Sequence, residues 1–219
     1  MHGDRGDVTS TAAGNRLSIA LVGASGNIGA RIRDEALARG HAVTGVVRHV
    51  ERLPTAANLT PRAASTRDPE LLGRTVAGHD LVIVSVRWNE NDIDQVLDAA
   101  RRSGVARLIV VVGAGSLRMP DGRLYFDHNL DRGIAPPTSA AALQAFRRLC
   151  EVTDLSWTAV SPAANIDAGI RTGAFRIGAD DLLLDDAGQS RISQEDFAVA
   201  VIDEAERPRH IRRRFTVAY

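Results

Sequence analysis

LSIALVGASGNIG, residues 17–29, is the stretch that decides the fold of this chain. Its first six residues are a nearly continuous apolar run, which is typical of a strand buried on both faces of a parallel sheet. Three glycines follow at intervals of three residues, Gly23, Gly26 and Gly29, and the apolar residues after them recur at helical spacing. The stretch therefore predicts a strand, a tight glycine turn and a helix.

The same alternation of strands and helices continues along the chain. Gly40 ends the first helix, predicted at 27–39, because glycine tolerates the left-handed conformation at which many helices stop. Asp68 and Pro69 open another helix, with proline in its first turn. Further strands are predicted at 41–47, 62–64, 81–86, 108–112 and 157–161, and further helices at 92–103 and 139–152. This order predicts an α/β fold with a doubly wound parallel sheet of Rossmann type.

The two ends of the chain differ from this pattern. Residues 1–15 are polar and predict a disordered tail, so that 16–219 form a single Rossmann domain. From about residue 162 the elements become short, and we expect a small C-terminal appendage that carries substrate-side elements. Its predicted strands lie at 173–177, 181–184 and 215–218, and its helix lies at 194–206 with Ser193 as N-cap. The Gly- and Pro-bearing stretch 113–137 predicts a long functional or mobile loop.

Charge and hydropathy narrow the class of partner. The chain has 27 basic and 27 acidic residues and no net charge, which argues against nucleic acid or an anionic membrane surface as a partner. No apolar run reaches the roughly 18 residues that a membrane span needs, and the N-terminus has no apolar signal segment. We therefore expect a cytoplasmic monomer or homodimer that acts on a small-molecule substrate.

The basic residues are all arginine, and this limits the chemistry. Without lysine, a Schiff-base lysine, a P-loop lysine and the Tyr-x-x-x-Lys pair of short-chain dehydrogenases are impossible. The one cysteine, Cys150, lies in an apolar-patterned helix and is predicted to be a small buried hydrophobe rather than a nucleophile. No His/Cys grouping has metal-ligand spacing, so no metal site is predicted.

The glycine turn predicts a dinucleotide-binding site. A glycine turn between a buried strand and a helix lets the backbone approach a pyrophosphate, which then meets the N–H groups of the helix N-terminus. The predicted contacts come from Gly23, Ser25, Gly26, Asn27 and Ile28.

The residue after the second strand distinguishes the two nicotinamide cofactors. NAD-binding domains tend to carry an acidic residue there for the ribose hydroxyls, whereas this chain has Arg48. A guanidinium suits the additional 2′-phosphate of NADP, so the predicted cofactor is NADP; the alternative is an arginine solvated on a loop.

Other cofactor contacts are expected beyond the carboxyl ends of the later strands, where ligands of open α/β sheets bind. The nicotinamide is predicted to lie between the segments that follow the strands at 108–112 and 157–161. The cofactor contacts expected at these strand ends come from Ser85, Val86, Gly113, Ala114, Ser161, Pro162 and Ala163.

These segments resemble a known family. Residues 21–29, 111–117, 161–163, 191–193 and 213–217 are similar to those of atypical short-chain dehydrogenases with an NAD(P)H-binding, NmrA-like domain, and more distantly to flavin reductase/biliverdin-IXβ reductase. The similarity covers nearly all of 17–219, and the glycine loop is its most specific part. It implies an NADP-linked Rossmann enzyme that works without the Tyr-x-x-x-Lys pair.

The chain departs from the family at two places. Ser65 stands where such proteins usually carry an aspartate that helps at the adenine. Arg87 and Trp88 follow the fourth strand, where the family usually has small residues. This pair could reshape the cofactor pocket, or supply a stacking platform and a cation for a substrate, or simply cover the edge of the sheet.

Three side chains are candidates for catalysis. Ser116 follows the fifth strand and could hold a substrate carbonyl, or cap the loop instead. Tyr125 and His128 lie in the long loop and could donate a proton, although a surface role is open for both.

Two classes of function remain open. The favoured one is an NADPH-dependent oxidoreductase that reduces a small flavin-like, quinone or carbonyl substrate. The alternative keeps the Rossmann domain without net redox chemistry, as an isomerase, dehydratase or cyclase of a biosynthetic pathway or as a dinucleotide-sensing regulator.

Overall fold

A computed structural model describes residues 16–219, so the prediction for the tail at 1–15 lies outside the described residues. The main sheet has eight strands in the order β3-β2-β1-β4-β5-β6-β10-β8. Seven of its strands run parallel, and β8 pairs with β10 in the antiparallel sense. The strands are β1 (Ser18–Val22), β2 (Ala42–Val47), β3 (Leu59–Ala63), β4 (Leu81–Val84), β5 (Arg107–Val111), β6 (Ser156–Ser161), β8 (Arg176–Gly178) and β10 (Arg213–Ala218).

Helices cover both faces of this sheet, which confirms the predicted Rossmann-type fold. One face packs against α1 and α6, and the other packs against α2, α3 and α5. No helix within residues 16–219 has the length and apolar character needed to cross a membrane. The helices are α1 (Asn27–Ala38), α2 (Pro69–Val76), α3 (Ile93–Ser103), α4 (Tyr125–Asp131), α5 (Pro137–Cys150) and α6 (Gln194–Glu206).

The apolar run at residues 17–22 forms a strand because both of its faces are buried. Ile19 and Leu21 pack on the side of α1 and α6, whereas Ala20 and Val22 pack on the side of α2, α3 and α5. All four side chains have less than 5% of their surface exposed. Side chains alternate between faces along a strand, so β1 contributes to both halves of the core.

The predicted helix ends are present. The Asp68 carboxylate accepts a hydrogen bond from the Leu71 N–H at 2.9 Å, and the Ser193 hydroxyl accepts one from the Asp196 N–H at 3.0 Å. Gly40 has a φ of +83°, as expected for a glycine that follows a helix.

The C-terminal region is built into the sheet more fully than expected. β10 lies between β6 and β8 in the main sheet, because its alternate residues Phe215 and Val217 fill the core beside α6. The strand predicted at 181–184 is wrong, since Asp181 there makes only an isolated bridge to Arg118. Two short strands were missed, β7 (Asn165–Asp167) and β9 (Arg191–Ser193), which pair with each other in parallel.

Two further expectations need correction. The stretch 113–137 is not one long loop, because α4 lies within it. Cys150 is exposed rather than buried, since it is the last residue of α5 and lies at the edge of that helix's buried face. Partial burial still raises the pKa of its thiol, against the opposing effect of Arg214, so a nucleophilic thiolate is not favoured.

Residues 168–174 lie across α1 and α6 and are held by three carboxylates. Asp196, which is fully buried, accepts hydrogen bonds from the Thr172 N–H, the Gly173 N–H and the Tyr219 hydroxyl, at 2.7 to 2.8 Å. Glu195 accepts from the Gly169 N–H at 2.8 Å. The third carboxylate, Glu35 of α1, is paired with Arg171.

We expect Asp196→Asn to destabilise the protein by about 1–3 kcal/mol at neutral pH, because the variant loses charge-assisted hydrogen bonds. Burial alone would raise the pKa of the Asp196 carboxyl, but its hydrogen bonds from Thr172, Gly173 and Tyr219 outweigh burial and lower the pKa. A carboxyl with a lowered native pKa stabilises the fold above its ordinary pKa of 3.8, and this contribution is lost as the pH falls through the lower native pKa.

Urea unfolding from pH 7 to pH 2.5 measures this effect. The difference in free energy of unfolding between wild type and Asp196→Asn should be constant at neutral pH and shrink below pH 4. Asp98→Asn, which removes a carboxylate from an exposed pair with Arg102, is the matched control and should change little. A difference that is independent of pH would contradict the assignment to the Asp196 charge.

Candidate functional site

The glycine turn has the geometry of a phosphate cradle. A Cβ atom on Gly23, whose φ is +89°, would lie 2.1 Å from the Ser85 carbonyl oxygen. A Cβ on Gly29 would lie 2.1 Å from the Gly23 carbonyl oxygen. A Cβ on Gly26 would meet only the Gly23 oxygen, at 3.4 Å. Gly23 and Gly29 are therefore required for close packing of the turn, whereas Gly26 leaves the outer side of the turn open.

The N-terminus of α1 faces this open side. Gly26 is its N-cap, and no side chain within the described residues caps the helix there. Ser25 and Asn27 are exposed beside it, and the first turn has no acidic residue. The helix dipole and the backbone N–H groups therefore favour an anion at this place.

Buried contacts hold the turn in place from behind. The Gly23 N–H donates to the Val46 carbonyl at 2.9 Å, and the Ser85 N–H donates to the Val22 carbonyl at 2.9 Å. Arg33, which is buried within α1, donates to the Ala24 carbonyl at 3.1 Å. Sequence reasoning missed Arg33, because an arginine at a helical position usually points to solvent.

Arg48 lies at the carboxyl end of β2, at the edge of the sheet where the adenosine half of a dinucleotide is predicted to bind. It follows β2 directly, and 64% of its side chain is exposed. Its Nη2 atom lies 3.8 Å from Oε2 of Glu90, beyond hydrogen-bond distance. The guanidinium is thus near a carboxylate but not tightly held by it.

Arg87 and Trp88 have separate roles. Trp88 is 6% exposed, packs in the core beside α3 and α5, and donates from Nε1 to the Val111 carbonyl at 2.9 Å. Because its ring lies in the core, Trp88 neither provides a stacking platform for a substrate nor covers the edge of the sheet as an exposed residue. Both of these interpretations of Trp88 are therefore wrong. Arg87 remains exposed and lies 3.8 Å from Oε1 of Glu90.

The other predicted cofactor residues lie together at the carboxyl ends of β4, β5 and β6. Val86 is partly buried against the core after β4. Gly113 follows β5, and a Cβ there would lie 3.1 Å from the Ala142 side chain, so α5 packs closely at this point. Ala114 is buried beside it, as are Pro162 and Ala163 after β6. The Ser161 hydroxyl is fully buried and has no hydrogen-bond partner among residues 16–219.

Ser116 is 5% exposed and is held by an arginine that sequence reasoning missed. Arg214 Nη1 donates to the Ser116 hydroxyl at 2.7 Å and to its carbonyl at 3.0 Å. The same guanidinium pairs with Asp180 and lies 4.3 Å over the ring of Phe146. The Ser116 hydroxyl in turn donates to the Gly113 carbonyl at 3.3 Å, a long hydrogen bond.

Tyr125 lies near these loops. It is the first residue of α4 and packs against a small apolar cluster that joins the loop after β5, the loop after β6 and residues 182–184. The cluster consists of Ala114, Leu117, Leu182 and their partly buried neighbours Met119, Tyr125, Ala164 and Leu184. His128 is partly buried one turn later in α4, and its ring makes no hydrogen bond within residues 16–219.

Comparisons with known proteins agree with this geometry. The model of a family described as NAD(P)H-binding matches residues 23–208. The chain belongs to this NAD(P)H-binding family. The uncharacterized protein YwnB of Bacillus subtilis (strain 168) is 33% identical over 214 residues, which are 92% of this chain and 98% of YwnB. The resemblance to atypical short-chain dehydrogenases with an NmrA-like domain is thereby confirmed.

Solved structures of similar proteins carry different names. A protein of Burkholderia pseudomallei, provisionally called an exported protein, is 40% identical, with a TM-score of 0.82 over 93% of this chain and 100% of its own. A provisional epimerase of Bacteroides thetaiotaomicron is 34% identical, with a TM-score of 0.85 over 93% and 97%. A provisional NADH-flavin reductase of Streptococcus pneumoniae is 25% identical, with a TM-score of 0.78 over 92% and 99%.

One further structure shares the fold and contains a dinucleotide. A short-chain dehydrogenase/reductase of Veillonella parvula in complex with NADP is 18% identical and has a TM-score of 0.77 over 93% of this chain and 94% of its own. The residues of the present chain fit such a ligand, because the open side of Gly26 and the uncapped start of α1 form a cradle that a Cβ would fill.

Proposed function

We propose that this protein is an NADPH-dependent oxidoreductase of the atypical short-chain dehydrogenase type, which reduces a small flavin-like, quinone or carbonyl substrate. The observation that carries the proposal is the exposed guanidinium of Arg48 directly after β2, beside a glycine cradle whose outer side is open. Membership of an NAD(P)H-binding family and the reductase-like name of the Streptococcus pneumoniae neighbour support an oxidoreductase in general.

The proposed substrate class follows from the apolar cluster beside the nicotinamide end. Leu117 and Leu182 are buried within this cluster. Its partly exposed members Met119, Tyr125 and Leu184 form an apolar wall beside the loops after β5 and β6. A planar, largely apolar acceptor such as a flavin or a quinone buries its surface well against such a wall.

Ser116 is proposed to orient the acceptor. When bound, the reduced nicotinamide would supply the hydride for a two-electron reduction, and each hydride is matched by one proton from the protein or from water. The hydroxyl hydrogen of Ser116 now points along a long bond to the Gly113 carbonyl. Turning it toward an acceptor oxygen would keep the 2.7 Å bond from Arg214, which fixes the Ser116 oxygen in place.

Tyr125 is the better of the two proposed proton donors. It lies in the apolar cluster that joins the loops after β5 and β6, and it is partly exposed, so its proton can be replaced from solvent. His128 remains the second candidate, on the same short helix.

Arg48→Ala is expected to weaken NADPH binding by about tenfold to a hundredfold and to leave NADH binding nearly unchanged, because a hydrogen bond between two charged groups contributes about 1.5–3 kcal/mol. Fluorescence titration of the reduced cofactors measures both affinities. Arg102→Ala, which removes an exposed arginine at the far end of α3, is the matched control. An unchanged preference for NADPH in Arg48→Ala would contradict the assignment of NADP.

A turnover assay tests the reaction itself. Purified protein is mixed with NADPH and a panel of flavins, quinones and small carbonyl compounds, and the loss of NADPH absorbance is followed. Turnover that falls in the Tyr125→Phe variant while NADPH binding is kept would support a role for Tyr125 in proton transfer.

The second candidate function, a reaction without net redox such as an isomerisation, is favoured by one comparison. The Bacteroides thetaiotaomicron neighbour, 34% identical, is named provisionally as an epimerase. Tight NADPH binding without consumption of NADPH on any acceptor would support this alternative and overturn the reductase proposal.

A further inference from the structure

Two arginines from different strands converge on one carboxylate beside the proposed adenosine site. Arg48 follows β2 and lies 3.8 Å from one oxygen of Glu90, and Arg87 follows β4 and lies 3.8 Å from the other oxygen. Arg67 donates to the Glu90 backbone carbonyl at 3.4 Å. Two guanidiniums therefore lie near the Glu90 carboxylate, and a third reaches the backbone of the same residue.

The backbone of Arg87 is fixed on both sides while its guanidinium is left at the surface. On one side, the buried indole of Trp88 is anchored to the Val111 carbonyl. On the other, Asn91 donates to the Arg87 carbonyl at 2.7 Å and accepts from the Thr66 hydroxyl at 2.6 Å. The Arg87 side chain is nevertheless 76% exposed. Because Trp88 is buried in the core, the side chain of Arg87 points to the surface, near Glu90 and Arg48.

Glu90 is a weak partner for these two arginines. Both contacts exceed hydrogen-bond distance, and exposed ion pairs of this kind contribute little to stability. A phosphate monoester carries nearly two negative charges and three acceptor oxygens, and it accepts paired hydrogen bonds from guanidinium groups. A phosphate placed between Arg48 and Arg87 would therefore replace Glu90 at small cost.

We infer that Arg87 is a second specificity-determining residue for the 2′-phosphate of NADP, which it grips together with Arg48, and that Glu90 is the counter-ion that the phosphate displaces. The inference rests on the proposed function for the position of the dinucleotide. Arg87 would then bind the cofactor, whereas the sequence also allowed it to supply a cation for a substrate.

Calorimetric titration of the full-length protein with adenosine 2′,5′-bisphosphate and with 5′-AMP tests the inference without any turnover. Arg87→Ala should weaken binding of the bisphosphate by about tenfold to a hundredfold and change that of 5′-AMP by less than about twofold. Glu90→Gln should tighten binding of the bisphosphate by about twofold to fivefold, because it removes the competing charge. Arg102→Ala, with the same loss of charge at a remote exposed pair, should bind both probes as the wild type does.

The possible results separate this inference from the proposed function. Equal weakening of both probes by Arg87→Ala would mean that Arg87 stacks on the adenine, and no weakening of either would mean that it is an ordinary surface residue; both results overturn the inference and leave the dinucleotide site intact. If the wild type binds neither probe, the dinucleotide site and the inference fail together.

Discussion

Gly29→Ala is expected to abolish NADPH binding and to destabilise the protein at the same time. The added Cβ would lie 2.1 Å from the Gly23 carbonyl oxygen, a contact that only movement of the backbone can relieve. Overpacking of this kind costs about 1–3 kcal/mol or more in stability. Because the displaced oxygen belongs to the turn that would hold the pyrophosphate, we expect affinity for NADPH to fall by more than about a hundredfold.

Gly26→Ala is the informative control, because it separates binding from folding. Its Cβ would approach only the Gly23 oxygen, at the ordinary distance of 3.4 Å, and Gly26 has a φ of −75° that alanine adopts without strain. We therefore expect nearly wild-type stability in urea unfolding, with NADPH binding lost because the methyl group fills the cradle. Normal NADPH binding by Gly26→Ala would contradict the placement of the pyrophosphate, whereas normal stability of Gly29→Ala would contradict the close packing of the turn.

Local sequence signals predicted the parts of the fold that depend on near neighbours. The glycine turn at residues 23–29, the N-caps Asp68 and Ser193, and the stop at Gly40 each involve contacts within a few residues. The short strands β7 and β9 could not be predicted in this way. Each has only three residues, and they pair with one another across 23 intervening residues, so neither carries a periodic pattern of its own.

The candidate site was predictable only where it follows strand ends. Arg48 and Ser116 were found because parallel strands direct their carboxyl ends to one edge of the sheet. Arg214, whose guanidinium holds Ser116, was not predicted. It is 98 residues away from Ser116 in the sequence and looks like one of three successive exposed arginines at 212–214. Alternation along β10 turns only this one into the core, toward Ser116 and Phe146.

The burial of Trp88 could not be predicted either, because it depends on contacts with distant parts of the chain. A tryptophan after a strand at the cofactor edge is as compatible with ligand stacking as with burial, and the chain alone does not distinguish them. Its burial is decided by Val111, which accepts its N–H from the neighbouring strand, and by α5, which covers the ring. That burial leaves Arg87 as the exposed member of the pair and brings it to Glu90.

Glu204→Ala is expected to destabilise the protein by about 3–5 kcal/mol, because it leaves a buried cation without its partner. Glu204 is 4% exposed in α6 and accepts hydrogen bonds from Arg107 at 2.7 Å, from the ring of His210 at 2.7 Å and from the backbone N–H of His210 at 3.0 Å. Arg107 is itself buried at the start of β5, and its Nε already lacks a partner among residues 16–219. When the carboxylate is removed, nothing offsets the free-energy cost of keeping the Arg107 guanidinium away from water.

Urea unfolding measures this loss, and a paired substitution shows its origin. Arg107→Met combined with Glu204→Leu should recover much of the stability, since replacing both members of a buried ion pair by apolar groups is often neutral. Glu70→Ala, which breaks an exposed pair with Arg74, should change the free energy of unfolding by less than about 0.5 kcal/mol. Because Glu204 contacts the N-terminal ends of β5 and β10, opposite the glycine turn, Glu204→Ala should still bind NADPH while folded. If the double variant is no more stable than Glu204→Ala, the loss arises from the unpaired loop at His210 rather than from the charge of Arg107.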